Sequence, residues 1–146
     1  MTPRVKAMKC LTDDSAFEKQ YRKIFETILL HNQNMIVLGL SHLELLGFPN
    51  DKLDKRNGII KKLAEEYHVS YIDVVAIQSE LNINGNSVYS WKNKNLLRLF
   101  EGIVFAFIPG IKDYLSKTRH LRFTIDGAHW NSKLAKAISD KIQTIL

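Results

Sequence analysis

The sequence predicts an α/β fold with a short parallel sheet, and three stretches carry that prediction. Met35-Ile-Val-Leu-Gly-Leu40 is an unbroken apolar run, the pattern of a strand covered on both faces. An amphipathic stretch from Leu53 to Tyr67 follows it, and then a β-rich run, Val69-Ser-Tyr-Ile-Asp-Val74. Strand, helix and strand in that order make a βαβ unit, two parallel strands joined by a crossover helix.

Taken in order, residues 1–11 show little periodicity. A first helix follows, for which Thr12 and Asp13 offer caps and Ser15 with Glu18 a capping box. Phe17, Tyr21, Ile24, Phe25, Ile28 and Leu29 recur at spacings of three and four, so one face turns to a core. After the first strand, Ser41 to Asp51 with Gly47, Pro49 and Asn50 reads as a loop. It leaves the carboxyl end of the strand, the edge where open α/β sheets bind ligands, which makes Ser41 and His42 positions of interest. Gly39-Leu-Ser41 is not a nucleophile elbow, because the second Gly is missing and a loop stands where a helix should start.

In the second helix Leu53, Ile59, Ile60, Leu63 and Tyr67 face inward, with Lys61, Lys62, Glu65 and Glu66 outward. Gly58 weakens its first half by about 1 kcal/mol relative to Ala. Asp73, at the end of the second strand, reads as a cap for the segment after it. Residues 82–92 are turn-rich, and from Asn95 the chain becomes apolar up to Pro109-Gly110, which predicts a helix ended there and a short one over Ile111–Ser116. Its apolar residues nearly encircle the first of these helices. Core packing, an apolar wall for an acyl group, or docking of a partner or membrane surface would each account for that. The closing helix runs from Ser132 to Leu146, with Asn131 as its cap and Leu134, Ala135, Ile138, Ile142 and Ile145 on one face. Its positive end, directly after His129, would help to hold an anion.

Length and composition exclude several classes. At 146 residues the chain is one domain, 1–146. Hydrophobic residues at 45% and charged ones at 25% match soluble globular proteins. The net charge of +6 is carried by lysines along helix faces, such as Lys19, Lys23, Lys55, Lys62, Lys136 and Lys141. That is a solvated surface, and with no nucleic-acid-binding motif no nucleic-acid partner is expected. Cys10 is alone, which excludes an internal disulfide, and no Cys or His spacing fits zinc. The N-terminal residues have no signal-peptide core, and the longest apolar run, Gly102 to Ile111, is far below the roughly 20 residues of a membrane span. A cytoplasmic chain without cofactor, metal or transmembrane segment is the expectation.

The chemistry concentrates in Leu121-Arg-Phe-Thr-Ile-Asp-Gly-Ala-His-Trp-Asn-Ser-Lys133. Asp126 and His129 stand three residues apart across Gly127, so a turn would bring the carboxylate onto one ring nitrogen and leave the other free as a base. A turn and a helix cap would use the same residue types without chemistry. Metal binding by this pair would need two further ligands.

Phe123 to Lys133 and the helix after it resemble the last sequence block of the SGNH (GDSL) esterases, the Asp-x-x-His block. Asn57, Ile59, Ile60, Lys61, Leu63 and Ala64, followed by Tyr71-Ile-Asp-Val74, resemble that family's penultimate helix and strand. The resemblance implies a flavodoxin-like three-layer α/β/α fold, present as its second half over residues 12–146, with 82–120 as a variable helical insertion. It also implies ester hydrolysis by a Ser-His-Asp triad, in which Asp126 is the acid and His129 the base. The substrate would be an ester-containing small molecule or lipid. Leu134 departs from the Gly that many members carry at the start of the final helix. The nucleophile block, Gly-Asp-Ser, and the Gly-x-Asn-Asp block are both absent, and Asp14-Ser15 lacks the Gly and the strand that should precede it. A fragment or degenerate homologue is therefore expected, with an exposed sheet edge that a second copy or a partner would cover. The alternative is a non-catalytic binding or assembly module that uses the apolar 96–108 segment.

Overall fold

The computed structural model describes residues 13–81, 83, 88–90 and 111–146. Thr12, Cys10, most of the turn-rich stretch and the apolar 96–108 segment lie outside these residues. The elements are α1 (Asp14–Leu29), β1 (Ile36–Leu38), α2 (Asp51–Glu66), β2 (Ser70–Ile72), α3 (Val74–Glu80), α4 (Ile111–Thr118) and α5 (Ser132–Gln143). The fold is mixed α/β, and its two strands pair in parallel with Ile36 opposite Ser70, Val37 opposite Tyr71 and Leu38 opposite Ile72.

The alternation of side chains along a strand distributes these residues to two cores. Ile36, Leu38 and Ile72 pack with Val74 and Ile77 of α3, Phe123, and Leu134 and Ile138 of α5. Met35, Val37, Val69 and Tyr71 pack the other way, against Phe25 of α1 and Leu63 and Ala64 of α2. Helices thus cover both faces of the sheet, as the unbroken apolar run requires. β1 is shorter than the run Met35–Leu40. Gly39 still donates to the Ile72 carbonyl (2.9 Å), but the next residue leaves the ladder for a side chain. Asn57 Oδ1 accepts from the Leu40 N–H (2.6 Å) and its Nδ2 donates to the Leu40 carbonyl (2.8 Å).

Asp13 caps α1 by accepting from the Ser15 and Ala16 N–H groups (3.3 and 3.1 Å). The capping box read at Ser15 and Glu18 does not form, since Ser15 is already inside the helix. The apolar stripe of α1 is also narrower than its spacing suggests. Phe17, Tyr21 and Phe25 continue into Tyr67 as a row of tilted rings, with centroids 4.9, 6.2 and 5.6 Å apart. Ile24 and Ile28, rotated away from that row, are 48% and 41% exposed.

Asp73 caps α3 by accepting from Ala76 N–H (3.0 Å), as its position suggests. On α5, Leu134 and Ile138 are buried with Ala137 and Ile142 packed beside them. Ala135 and Ile145 point away from the core. Among the described residues no helix is long and apolar enough to cross a membrane.

Candidate active site

Residues 121–131 link α4 to α5 and fold back on themselves. Thr124 and Trp130 form an antiparallel bridge, Ile125 N–H donates to the His129 carbonyl (2.8 Å), and Asn131 N–H donates to the Phe123 carbonyl (2.9 Å). The reversal falls on Asp126, Gly127 and Ala128. Gly127 adopts φ +91°, and a Cβ there would drive into the Leu45 side chain and come within 3.0 Å of the Glu44 carbonyl oxygen. Both the dihedral and the space call for glycine.

The turn brings Asp126 and His129 together, as their spacing predicts. Asp126 Oδ1 accepts from the Ala128 and His129 N–H groups (3.1 and 2.9 Å). Nδ1 of His129 lies 2.9 Å from Oδ2 and 3.1 Å from Oδ1. The Asp126 side chain is 8% exposed, whereas the His129 side chain is 71% exposed. Burial works to raise the Asp126 pKa. The His129 main-chain and ring N–H donors and the Ala128 N–H outweigh it and hold the carboxyl below its usual range. An ionised Asp126 keeps the proton on Nδ1 and leaves the Nε2 lone pair directed away, the arrangement of a base.

The other sequence-singled residues occupy different roles. Ser41 is buried and its Oγ accepts from Trp130 Nε1 (2.8 Å), which ties the loop after β1 to the residue following His129. His42 instead pairs with Asp54 of α2, Nε2 to Oδ1, at 2.6 Å. The main chain of this loop is held by amide side chains in sequence. Asn57 takes Leu40, Gln78 takes both the N–H and the carbonyl of His42 (2.8 and 3.2 Å), and Asn50 takes those of Leu43 (2.9 and 3.0 Å).

Glu44 was not singled out by its sequence position, yet it is 5% exposed and central to the site. Its Oε1 accepts from Arg122 N–H (2.7 Å), and its Oε2 accepts from the Phe123 and Thr124 N–H groups (both 3.0 Å) and the Thr124 hydroxyl (2.6 Å). Three successive main-chain N–H groups aimed at one anion form a nest. The available signal was an acidic residue within Leu43-Glu44-Leu45-Leu46, since a carboxylate in an apolar run is buried only when paired.

Asn131 caps α5 as expected, accepting from Leu134 N–H (3.1 Å), and its amide donates to Ser116 Oγ (3.0 Å) and the Arg122 carbonyl (2.9 Å). The positive end of α5 is not open to an external anion. Asp113 already accepts from Ser132 N–H (3.1 Å) and Oγ (2.5 Å) there. Leu134, where a Gly would be usual in the esterases, is fully buried in the core between β2 and α5.

His129 stands on open surface. A cleft of about 280 Å³ is lined by His42, Glu44, Gln78 and Arg122, and another of about 510 Å³ lies between α4 and the start of α5. Neither includes His129. Among the described residues no group of three His, Cys, Asp or Glu side chains is placed to hold a metal ion. Comparison of the chain with family models, with curated proteins and with solved structures finds no match.

Proposed function

We propose that the chain is the second half of an SGNH-type ester hydrolase with a flavodoxin-like three-layer arrangement, in which His129 is the general base and Asp126 orients it. The observation that carries this reading is the asymmetry of the pair: a buried, ionised carboxylate fixes Nδ1 while the rest of the imidazole faces solvent. In this scheme Nε2 takes the proton of a serine hydroxyl as the oxygen attacks the ester carbonyl carbon. It then returns that proton to the leaving alkoxide, and a water repeats the sequence to release the acid. The serine comes from a Gly-Asp-Ser segment outside the 146 residues, and the oxyanion donors are that serine's main chain with a Gly and an Asn of the family's later blocks. That segment also supplies the wall that the open surface at His129 requires. The substrate is an ester-containing small molecule or lipid.

The test begins with the natural coding region upstream of Met1, which should carry an in-frame Gly-Asp-Ser run. A polypeptide that includes it should hydrolyse p-nitrophenyl butyrate, and His129→Ala should reduce the rate by about 10⁴- to 10⁶-fold. No hydrolysis by that polypeptide, or hydrolysis indifferent to His129→Ala, overturns the reading in favour of a non-catalytic docking module.

A further inference from the structure

We infer that Glu44 is the positioning residue of the Asp126–His129 pair, acting through Thr124 and Gly127. The path consists of hydrogen bonds in a line. Thr124 Oγ1 donates to Glu44 Oε2 (2.6 Å) and accepts from the Gly127 N–H (3.1 Å), the residue that separates Asp126 from Ala128 and His129. Thr124 is fully buried, so its hydroxyl is shielded from competition by bulk solvent. The main chain of Glu44 closes the circuit. Its N–H donates to the Gly127 carbonyl (2.9 Å), and its own carbonyl, with the Leu45 side chain, borders the space that a side chain at 127 would enter.

Gly127 is therefore held at its carbonyl by Glu44 directly and at its N–H by Glu44 through the Thr124 hydroxyl. The grip matters because the turn must hold Asp126 under two N–H groups and the imidazole at once. A charged acceptor that satisfies four donors is stronger than neutral partners would be. Tight placement of a base and its orienter is what a pre-organised site needs. The sheet edge after β1 thus contributes its carboxylate to the placement of the base. The catalytic meaning of this role rests on the reading of His129 as a base, whereas the coupling itself is measurable without substrate.

The test is the ring tautomer of His129, read from its two ¹⁵N shifts in the labelled protein at a pH where the ring is neutral. Glu44→Gln keeps the size but removes the charge and turns an NH₂ toward main-chain donors. The ratio of Nδ1–H to Nε2–H tautomer should fall by about three- to tenfold, the worth of one such hydrogen bond. Thr124→Val removes the relaying hydroxyl and should act in the same direction. It carries the test alone should Glu44→Gln not fold. Leu63→Ala, which weakens the core on the opposite face of the sheet, should leave the ratio unchanged. An unchanged ratio in the folded Glu44 or Thr124 variant overturns the inference, as does an equal fall in Leu63→Ala. Neither outcome bears on whether esters are hydrolysed.

Discussion

The two halves of the molecule are held together by different means. Helices α1 and α2 and the strands are ordered by apolar burial, with Phe25, Ile60, Leu63 and Ala64 almost wholly removed from solvent. From residue 121 to 131 the chain has no regular element, and although Leu121, Phe123 and Ile125 are buried, polar contacts to a buried carboxylate and to main-chain partners set its path. Burial of apolar area is additive and tolerant of small displacements, while hydrogen bonds are directional. The first region can therefore be weakened without losing its shape. The second depends more closely on the geometry of each contact.

The sharpest separation of the two comes from Leu63→Ala. Loss of this fully buried side chain should cost about 3 kcal/mol in urea unfolding, the usual result of truncating a core leucine. The His129 tautomer ratio should not move. A disturbed ratio would break the distinction between the regions. Gly127→Ala should be milder for the whole fold and severe for the site. The positive φ alone costs about 1–2 kcal/mol, and the new methyl displaces Leu45 and the Glu44 carbonyl. Unfolding should shift by about 2 kcal/mol, and the Nδ1–H preference of His129 should be lost. Full retention of that preference would show that the turn does not depend on its glycine.

Asn131→Ala tests the junction between the regions, since Asn131 caps α5 and also binds Ser116 and the Arg122 carbonyl. A lost cap costs about 1 kcal/mol, read as a lower urea midpoint, and the tautomer ratio should fall only slightly. A loss as large as that of Leu63→Ala would mean that α5 is not an independent support.

The same division explains what the sequence made legible. The βαβ unit, the inward face of α2 and the caps at Asp73 and Asn131 follow from patterns within a few residues of one another. The Asp126–His129 turn was legible for the same reason, because its partners lie three apart and Gly127 marks the bend. The clamps on the loop after β1 were not legible, since Asn57 and Gln78 reach residues 17 and 36 positions away. Glu44 bonds residues some 80 positions away. Two helix ends were obscure as well. His68 and His120 adopt φ of 55° and 54°, the left-handed conformation that usually announces itself with glycine. Helix α3 lacked enough residues to display a period.

The smallest expected effect concerns protons. The Asp126 carboxyl titrates below its usual range in the folded chain despite its burial, because the His129 and Ala128 donors favour the charged form. A group whose folded pKa is depressed adds stability that is fully present above its unfolded pKa, roughly 4 for a carboxylate, and is lost as pH falls through the folded value. The urea midpoint of the wild type should therefore exceed that of Asp126→Asn at pH 7, and the gap should narrow steadily below pH 4. Glu66, also held low by its hydrogen bond to Arg22, adds an acid-side slope to both proteins and cancels in the difference. The corresponding gap for Leu63→Ala should stay nearly level over the same range, because no proton is taken up where a leucine is lost. If the Asp126 gap is equally level, the carboxylate is held by its shape and not by its charge, and the polar region would differ from the apolar one only in its chemistry.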